Sequence, residues 1–249
     1  MHELTALSGP MSIRNARQPE RSSMFMMTNR LRTEGTDHLL AAGRAVGARR
    51  FVAQSFGAFR FARTGAPVLS EDDPLDPDPP VPQPGIEAID YLERAVTRID
   101  WGDGLALRYG SFYCPGTAIS LAADAQIVAP VRKRRLPIIG DGGGISSHIH
   151  IDDAAAATAA AVDHGRPGIY NIVDDDPAPV HEWLAVLASA LGAKPPRRLP
   201  RWLARLLAGE TATAMATEAK GASNAKAKRE LDWQPRYPSW RQGFAQGLG

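Results

Sequence analysis

Short apolar segments with the character of strands alternate with segments of helical spacing along most of the chain. The strand candidates lie at residues 51–55, 105–109, 145–151 and 168–173. The main helical candidates lie at residues 28–46, 85–98, 152–164 and 180–191. Strands that alternate with helices of this length predict a parallel sheet with helices packed on both faces.

Charge and cysteine content narrow the class of protein. The formal net charge of +2 gives no general attraction to nucleic acid or to a membrane surface. No apolar run approaches the roughly 18 residues of a membrane helix, and no secretory signal is recognisable. The single cysteine, Cys114, excludes an internal disulfide and is typical of a reducing compartment. We therefore expect a cytoplasmic protein whose partner is a small molecule, with neither nucleic acid nor membrane involved.

The segment 148–152 reads H-x-H-x-D, and its interpretation has an alternative. Strand alternation places His148, His150 and Asp152 on one face, which could form a metal site. The other interpretation is that His150 packs at a domain junction while Asp152 caps the Ala-rich helix that follows. Asp153 stands where the metal pattern has a further histidine, and the sequence shows no second ligand cluster. We favour the second interpretation and predict no metal.

The glycine-rich run at residues 140–144 could be taken for a phosphate-binding loop. It lacks the Lys-Ser/Thr pair of such loops, and a strand rather than a helix follows it. We predict a tight turn here.

Six segments, taken together, are similar to motifs of one protein family. In chain order, residues 2–7 resemble the end of a fourth strand, 28–36 an N-x-x-G-T helix, 51–55 a fifth strand ending in an active-site serine, 107–117 R-x-x-x-x-Y-G-P-G-T, 149–153 F-I-H-V-D-D, and 223–235 S-K-A-R-R-x-L-G-W-x-P. The family is the NAD-dependent epimerase/dehydratase family, the extended short-chain dehydrogenase/reductases. The ordered set spans nearly the whole chain and is more specific than any one motif.

The resemblance implies a fold and a division into domains. The fold would be α/β, a Rossmann-like doubly wound parallel sheet, incomplete at the N-terminus, with a smaller C-terminal α/β substrate lobe. Residues 1–115 would form a partial NAD(P)-binding domain. Residues 116–249 would form mainly the substrate-binding lobe, with 145–176 returning to the Rossmann sheet.

The resemblance also implies roles for individual residues. Ser55 would be the catalytic serine at the carboxyl edge of the sheet, although a serine that merely caps a strand end is the alternative. Arg108 is expected to be an ion-paired structural residue. Cys114 stands where the family has glycine, which bears on the local backbone conformation. The cofactor-binding positions, for NAD or NADP, would be Thr5, Ala6, Tyr113, Cys114 and Pro115.

One part of the family pattern is missing at the front of the chain. No G-x-x-G-x-x-G turn occurs in the sequence, although this turn and the following helix hold the pyrophosphate in such folds. If residues 2–7 end a fourth strand, about two and a half βα units, or roughly 70 residues, would be absent. A start site placed too late is the explanation we favour. The open sheet edge that remains would favour a second copy or another partner covering it.

The catalytic pair of the family is missing as well. Its Tyr-x-x-x-Lys motif lowers the pKa of a tyrosine for proton exchange with a substrate hydroxyl. Counting back from Glu93 places the lysine position at Ile89 and the tyrosine position at Gly85. Residues 81–90 contain neither Tyr nor Lys, so a small shift in alignment does not restore the pair.

Two functions follow as hypotheses. The first is an NAD(P)-dependent epimerase/dehydratase-like oxidoreductase acting on a sugar nucleotide or a similar hydroxyl-bearing substrate, with turnover impaired in this chain. The alternative is a non-catalytic binding or regulatory remnant that pairs through its exposed sheet edge.

Overall fold

The structure, a computed structural model, describes residues 26–57, 61–122, 125–246 and 248. The strands are β1 Arg50–Phe56, β2 Val68–Leu69, β3 Asp103–Tyr109, β4 Ser111–Tyr113, β5 Ile138–Ile139, β6 Ile145–Ser146, β7 His148–His150, β8 Gly168–Ile172, β9 Ala178–Pro179, β10 Arg198–Leu199 and β11 Gly221–Ala222. The helices are α1 Thr36–Ala45, α2 Gln83–Thr97, α3 Val128–Arg132, α4 Ile151–Asp163, α5 Val180–Ala190, α6 Arg201–Glu218, α7 Ala225–Glu230 and α8 Trp240–Gln246. A π-helical turn, Leu31–Gly35, precedes α1.

A parallel sheet of three strands, in the order β1-β3-β8, is the centre of the described fold. Phe51 of β1 pairs with Gly104 of β3, and Leu107 of β3 pairs with Tyr170 of β8. Helix α2 connects β1 to β3, and α4 precedes β8, so the connections are the helical crossovers that parallel strands need. The predicted α/β fold with a parallel sheet is confirmed.

The described residues form two apolar cores, here called the sheet core and the lobe core. The division into domains expected from the sequence stays a prediction. The sheet core is built on fully buried residues such as Leu105, Leu107 and Ile172, against which Ala157 and Ala161 of α4 pack. Small alanine side chains let the helix backbone approach the strands closely. The lobe core is built on the fully buried Leu187 and Trp240 together with its other members, including Tyr113, Leu184 and Phe244.

The predicted strand at 145–151 is divided in two at Ser147. β6 pairs with β9 in antiparallel orientation, whereas β7 pairs with β4 in parallel orientation. The two short strands therefore serve different sheets, and the prediction of one continuous strand is wrong.

The outer flank of β8 is occupied by side chains of two charged residues. The backbone N–H of Asn171 donates to Glu71 Oε1 at 2.6 Å, and Lys226 Nζ donates to the carbonyl of Ile169 at 2.9 Å. Charged side chains on an edge strand block the addition of a further strand. This edge of the sheet is therefore covered. The open edge expected from the sequence would lie where the opening strands are missing, and it stays a prediction.

Candidate functional site

A cleft of about 90 Å³ lies at the carboxyl ends of the three parallel strands. Gly57 after β1, Gly110 after β3 and Val173 after β8 form its sheet side. Ligands of open α/β sheets bind at this edge. The fold thus places the cleft where a substrate of such a protein would bind.

The lobe side of the cleft is fixed to the sheet side through Ser147. The Ser147 carbonyl accepts a hydrogen bond of 2.9 Å from the backbone N–H of Ser111, beside the sheet. Its Oγ accepts another, of 2.8 Å, from the backbone N–H of Ala222 in the lobe. A Cβ on Gly110 would lie 2.8 Å from the Ser147 carbonyl oxygen, so only glycine allows this approach. Ser146, Ser147, Met215, Lys220 and Ala222 line this side.

A row of polar residues crosses the sheet just below the cleft. Ser55, Arg108 and Asn171 are register partners on β1, β3 and β8, so their side chains share one face of the sheet. All three are buried, although strands covered on both faces are usually apolar. The row therefore lies between the sheet core and the cleft, and two of its members, Arg108 and Asn171, line the cleft.

Arg108 is held by Glu93 of α2 through two charge-assisted hydrogen bonds. Arg108 Nε lies 2.8 Å from Glu93 Oε1, and Nη2 lies 2.8 Å from Oε2. The structure confirms the expectation of an ion-paired Arg108. Because the guanidinium is planar, the third nitrogen, Nη1, faces away from Glu93. This atom is buried without a hydrogen-bond partner in the described part of the chain, and Arg108 lines the cleft.

Ser55 also contacts Glu93. Its Oγ donates a hydrogen bond of 2.5 Å to Glu93 Oε1, and the residue is 2% exposed. Ser55 is not among the described residues that line the cleft. Its catalytic role therefore stays a prediction, while its observed contact is with the Glu93–Arg108 pair.

Asn171 places a second unsatisfied polar atom at the cleft. Its Nδ2 donates to the carbonyl of Ser223 at 3.2 Å, which fixes the amide so that Oδ1 is the free end. Oδ1 is buried and accepts no hydrogen bond from any residue that the structure describes. A buried polar atom without a partner costs about 1–3 kcal/mol, so Oδ1 calls for a partner such as an ordered water or a ligand.

Four tyrosines of the described residues have raised pKa values, which disfavours a phenolate. Burial raises the pKa values of Tyr109 and Tyr170, the latter to about 12, and raises that of Tyr113 well above its ordinary range. Tyr91 donates to Asp37, and this hydrogen bond raises its pKa. Every one of these shifts opposes the lowered pKa that acid–base catalysis by tyrosine requires.

The positions of the family's Tyr–Lys pair lie in α2. Gly85 is in its first turn, and Ile89 is buried against the sheet side of the helix with 6% of its surface exposed. Neither residue can exchange a proton with a substrate.

Two of the cofactor-binding positions that the sequence implies lie outside the described residues, namely Thr5 and Ala6. Tyr113 is fully buried in the lobe core, where its ring contacts His150 and Phe244 edge to face. Pro115 is exposed. The role of these residues at the cofactor stays a prediction.

Cys114 adopts a backbone conformation that favours glycine, the residue that the family resemblance implies at this position. Its φ is +104°, in the region that favours glycine. Its N–H donates to the carbonyl of Ile119 and its own carbonyl accepts from Thr117, which hold the turn in place. Burial raises the pKa of the thiol, so Cys114 is not an activated nucleophile.

The H-x-H-x-D segment does not form a metal site in the described residues, where no group of three or more His, Cys, Asp or Glu side chains could hold an ion. The expectation that Asp152 caps α4 is wrong. The cap is His150, whose Nδ1 accepts from the backbone N–H of Asp152 at 3.1 Å.

A buried titratable cluster beside this segment was not predicted from the sequence. His148 is fully enclosed, and burial lowers its pKa to about 4. Asp174 donates its backbone N–H to the carbonyl of His148, and burial raises the pKa of its carboxyl to about 8. Both side chains retain a buried atom without a partner among the described residues. The sequence signal available for this cluster was the H-x-H-x-D segment, which contains His148 but does not indicate its contact with Asp174.

Solved structures share the fold. The human epimerase family protein SDR39U1 (isoform 2) with NADPH has a TM-score of 0.75 and 19% identity, over 97% of this chain and 80% of its own. UDP-glucose 4-epimerase from Thermotoga maritima, with UDP-glucose, has a TM-score of 0.68 and 18% identity, over 97% and 74%. dTDP-glucose 4,6-dehydratase from Streptomyces venezuelae, with NAD and TYD, has a TM-score of 0.68 and 21% identity, over 93% and 69%.

A curated relative is much more similar in sequence. The 3-diazoavenalumate denitrifying reductase of a Streptomyces species is 44% identical over 248 residues, which are 98% of this chain and 77% of the relative. The chain belongs to the NAD-dependent epimerase/dehydratase family. No protein-family model matches it. This epimerase/dehydratase-family chain therefore has a reductase as a relative and enzymes with bound NAD or NADPH as structural neighbours.

The cleft at the carboxyl edge of this family member presents two buried atoms without a partner among the described residues, Arg108 Nη1 and Asn171 Oδ1. No described segment forms the amide cradle for a pyrophosphate. Gly140 and Gly142 have positive φ in the predicted tight turn, and β6 follows them. No described helix is long and apolar enough to span a membrane.

Proposed function

We propose that this chain is a reductase dependent on NADPH or NADH that removes nitrogen from an aryl diazo compound at the cleft. The single observation that carries the proposal is the 44% identity, over 98% of the chain, to a denitrifying reductase that acts on a diazo compound. In this proposal residues 1–115 hold the cofactor, and the lobe of residues 116–249 covers the substrate.

The chemistry of such a reduction suits the residues at the site. NAD(P)H, when bound, supplies a hydride. At the substrate, the bond from the ring carbon to nitrogen breaks and its electron pair leaves with N₂. The hydride and its pair form the new C–H bond, so an aryl diazonium gives the arene and N₂ without a proton.

Because the hydride supplies the only new hydrogen of the product, the reaction needs no proton donor. Epimerases and dehydratases of the fold exchange a proton with a substrate hydroxyl, for which the tyrosine pKa is lowered. Here Gly85 and Ile89 occupy the Tyr and Lys positions, and burial raises the pKa of Tyr109, which lines the cleft. A reaction that needs only hydride delivery and a shielded site fits this arrangement.

The chain's own residues would position the substrate and exclude water. Glu93 fixes the Arg108 guanidinium, and Ser55 in turn donates to Glu93, so the floor of the cleft is rigid. The lobe side is fixed to the sheet side through the two hydrogen bonds of Ser147. Exclusion of water protects a diazonium from hydrolysis.

The test is to incubate the purified chain with NADPH or NADH and para-carboxybenzenediazonium. We expect loss of the reduced nicotinamide absorbance, release of one N₂ for each cofactor oxidised, and benzoate as the product. With cofactor deuterated at C4, deuterium should appear at the ring carbon that carried nitrogen. A parallel incubation contains NAD⁺ or NADP⁺ with UDP-glucose. Reduction of that cofactor by UDP-glucose, with no turnover of the diazonium, would contradict the proposal and favour the hydroxyl-bearing substrate expected from the sequence. Absence of any turnover, with the chain folded, would favour the non-catalytic alternative.

A further inference from the structure

We propose that the cleft recognises a hydroxylated carboxylate, with Lys220 binding the carboxylate and the Arg108–Asn171 floor binding the hydroxyl. This inference rests on the proposed function for its location and names the substrate class of the same site. It is carried by the charge of the cleft and by two buried atoms that need a partner.

The charge of the cleft favours an anion. The charged residues that line it are Arg108 and Lys220, and no Asp or Glu among the described residues does so. Glu93 neutralises Arg108, which leaves Lys220 as the uncompensated charge. An ammonium in a partly buried cleft attracts a carboxylate more strongly than one in open solvent.

Lys220 differs from other lysines of the lobe in its surroundings. Lys226 donates to the carbonyl of Ile169, and Lys228 pairs with Asp175 at 2.9 Å. Lys220 is half-buried between α6 and β11, and within the described ranges no carboxylate pairs with it. It lines both the cleft and the adjoining small cavity that Phe61 and Met215 also line. Lys220 therefore borders both spaces at the side of the cleft opposite the strands.

The floor presents one donor beside one acceptor. Arg108 and Asn171 are register partners on adjacent parallel strands, about 5 Å apart, with side chains on one face. Arg108 Nη1 can only donate, and Asn171 Oδ1 can only accept. A hydroxyl satisfies both atoms, because its oxygen accepts from the first and its hydrogen is donated to the second. A second carboxylate would satisfy Nη1 and be repelled by Oδ1.

The two contacts are tested by binding alone, without cofactor and without a diazo group. The probes are benzamide, benzoate and para-hydroxybenzoate, titrated into the whole chain and followed by ligand-observed NMR and calorimetry. We expect affinity to rise in that order. A wild-type chain that binds benzoate no better than benzamide would overturn the carboxylate contact, and one that gains nothing from the para-hydroxyl would overturn the floor contact.

Variants separate Lys220 from general charge. In Lys220→Met the Kd of benzoate should rise about tenfold or more, while that of benzamide should stay unchanged. Lys133→Met, which removes the same charge from an exposed position on α3's C-terminal side, should change neither. Equal effects of the two variants would overturn the assignment to Lys220.

The outcome is independent of the reductase activity. If affinity rises from benzamide to benzoate to para-hydroxybenzoate but no diazonium is reduced, the binding site is supported and the proposed reaction is rejected. Reduction of diazonium salts with no preference for carboxylate over amide would retain the reaction and reject the substrate class.

Discussion

Arg108 and Glu93 are joined by two hydrogen bonds of 2.8 Å inside the protein, with 3% and 5% of their side chains exposed. The pair links the middle strand β3 to helix α2 directly below the cleft. In a buried salt bridge each charge is stabilised by its partner instead of by water, so the removal of one partner leaves the other charge uncompensated.

Glu93→Leu should lower the free energy of unfolding by about 3–5 kcal/mol, because it leaves the Arg108 charge buried and unpaired. Urea denaturation measures the change. The control is Arg44→Met, which removes an exposed pair with Asp100 and should cost about 0–1 kcal/mol. Similar losses in both variants would contradict the importance that we assign to the buried pair.

Ser55→Ala should destabilise the chain by about 1–3 kcal/mol, because it removes the hydrogen bond to Glu93 inside the core. We infer a positioning role, so kcat per folded molecule in the diazonium assay should fall less than KM rises. A loss confined to kcat, of about a hundredfold or more, would instead support Ser55 as a catalytic residue. Ser55→Thr, which retains the hydroxyl, is the matched variant.

Asp174→Asn should stabilise the protein more at pH 8 than at pH 6.5. The pKa of Asp174 is raised to about 8, so its folded state retains a proton that the unfolded chain releases, and stability falls as pH rises toward 8. His148, with a pKa lowered to about 4, acts in the opposite direction, and only below about pH 6.5.

The Asp174→Asn variant should therefore gain about 2 kcal/mol relative to wild type between pH 6.5 and 8. Urea midpoints at the two pH values give the difference. Asp141→Asn, at an exposed turn, should follow the wild-type curve. A variant curve parallel to wild type would show that Asp174 is ionised in the folded protein.

Cys114→Gly should be more stable than Cys114→Ala by about 1 kcal/mol, because φ at this position is +104° and a Cβ is strained there. The comparison of two variants removes the contribution of the thiol. At Ala156, exposed in α4, the change to Gly should instead destabilise by about 1 kcal/mol. The same order at both positions would exclude strain at Cys114.

Much of the sheet could be predicted because its strands are short apolar runs separated by helices. The parallel pairing of β1 with β3 follows from that pattern. The break at Ser147 could not, because I-S-S-H-I-H-I keeps strand alternation through the residue at which the chain changes partners. Its position depends on hydrogen bonds to Ser111 and Ala222, which lie far away in the sequence.

The site was predicted less completely than the fold. The carboxyl edge follows from the fold class, and the ion-paired Arg108 was expected. Asn171 and Lys220 were missed, because nothing near either residue in sequence indicates that both line one cleft. The signal available was a polar residue within the apolar run 168–173, which suggests a buried polar contact but not its partner.

The covered flank of β8 restricts how another chain could pair with the sheet. To add a strand there, an incoming chain would have to displace Glu71 and Lys226 from backbone groups they already satisfy, and expose two charges to a competitor's main chain. Strand addition from this side is thereby disfavoured, and a chain that docked on this flank would meet side chains rather than free backbone groups.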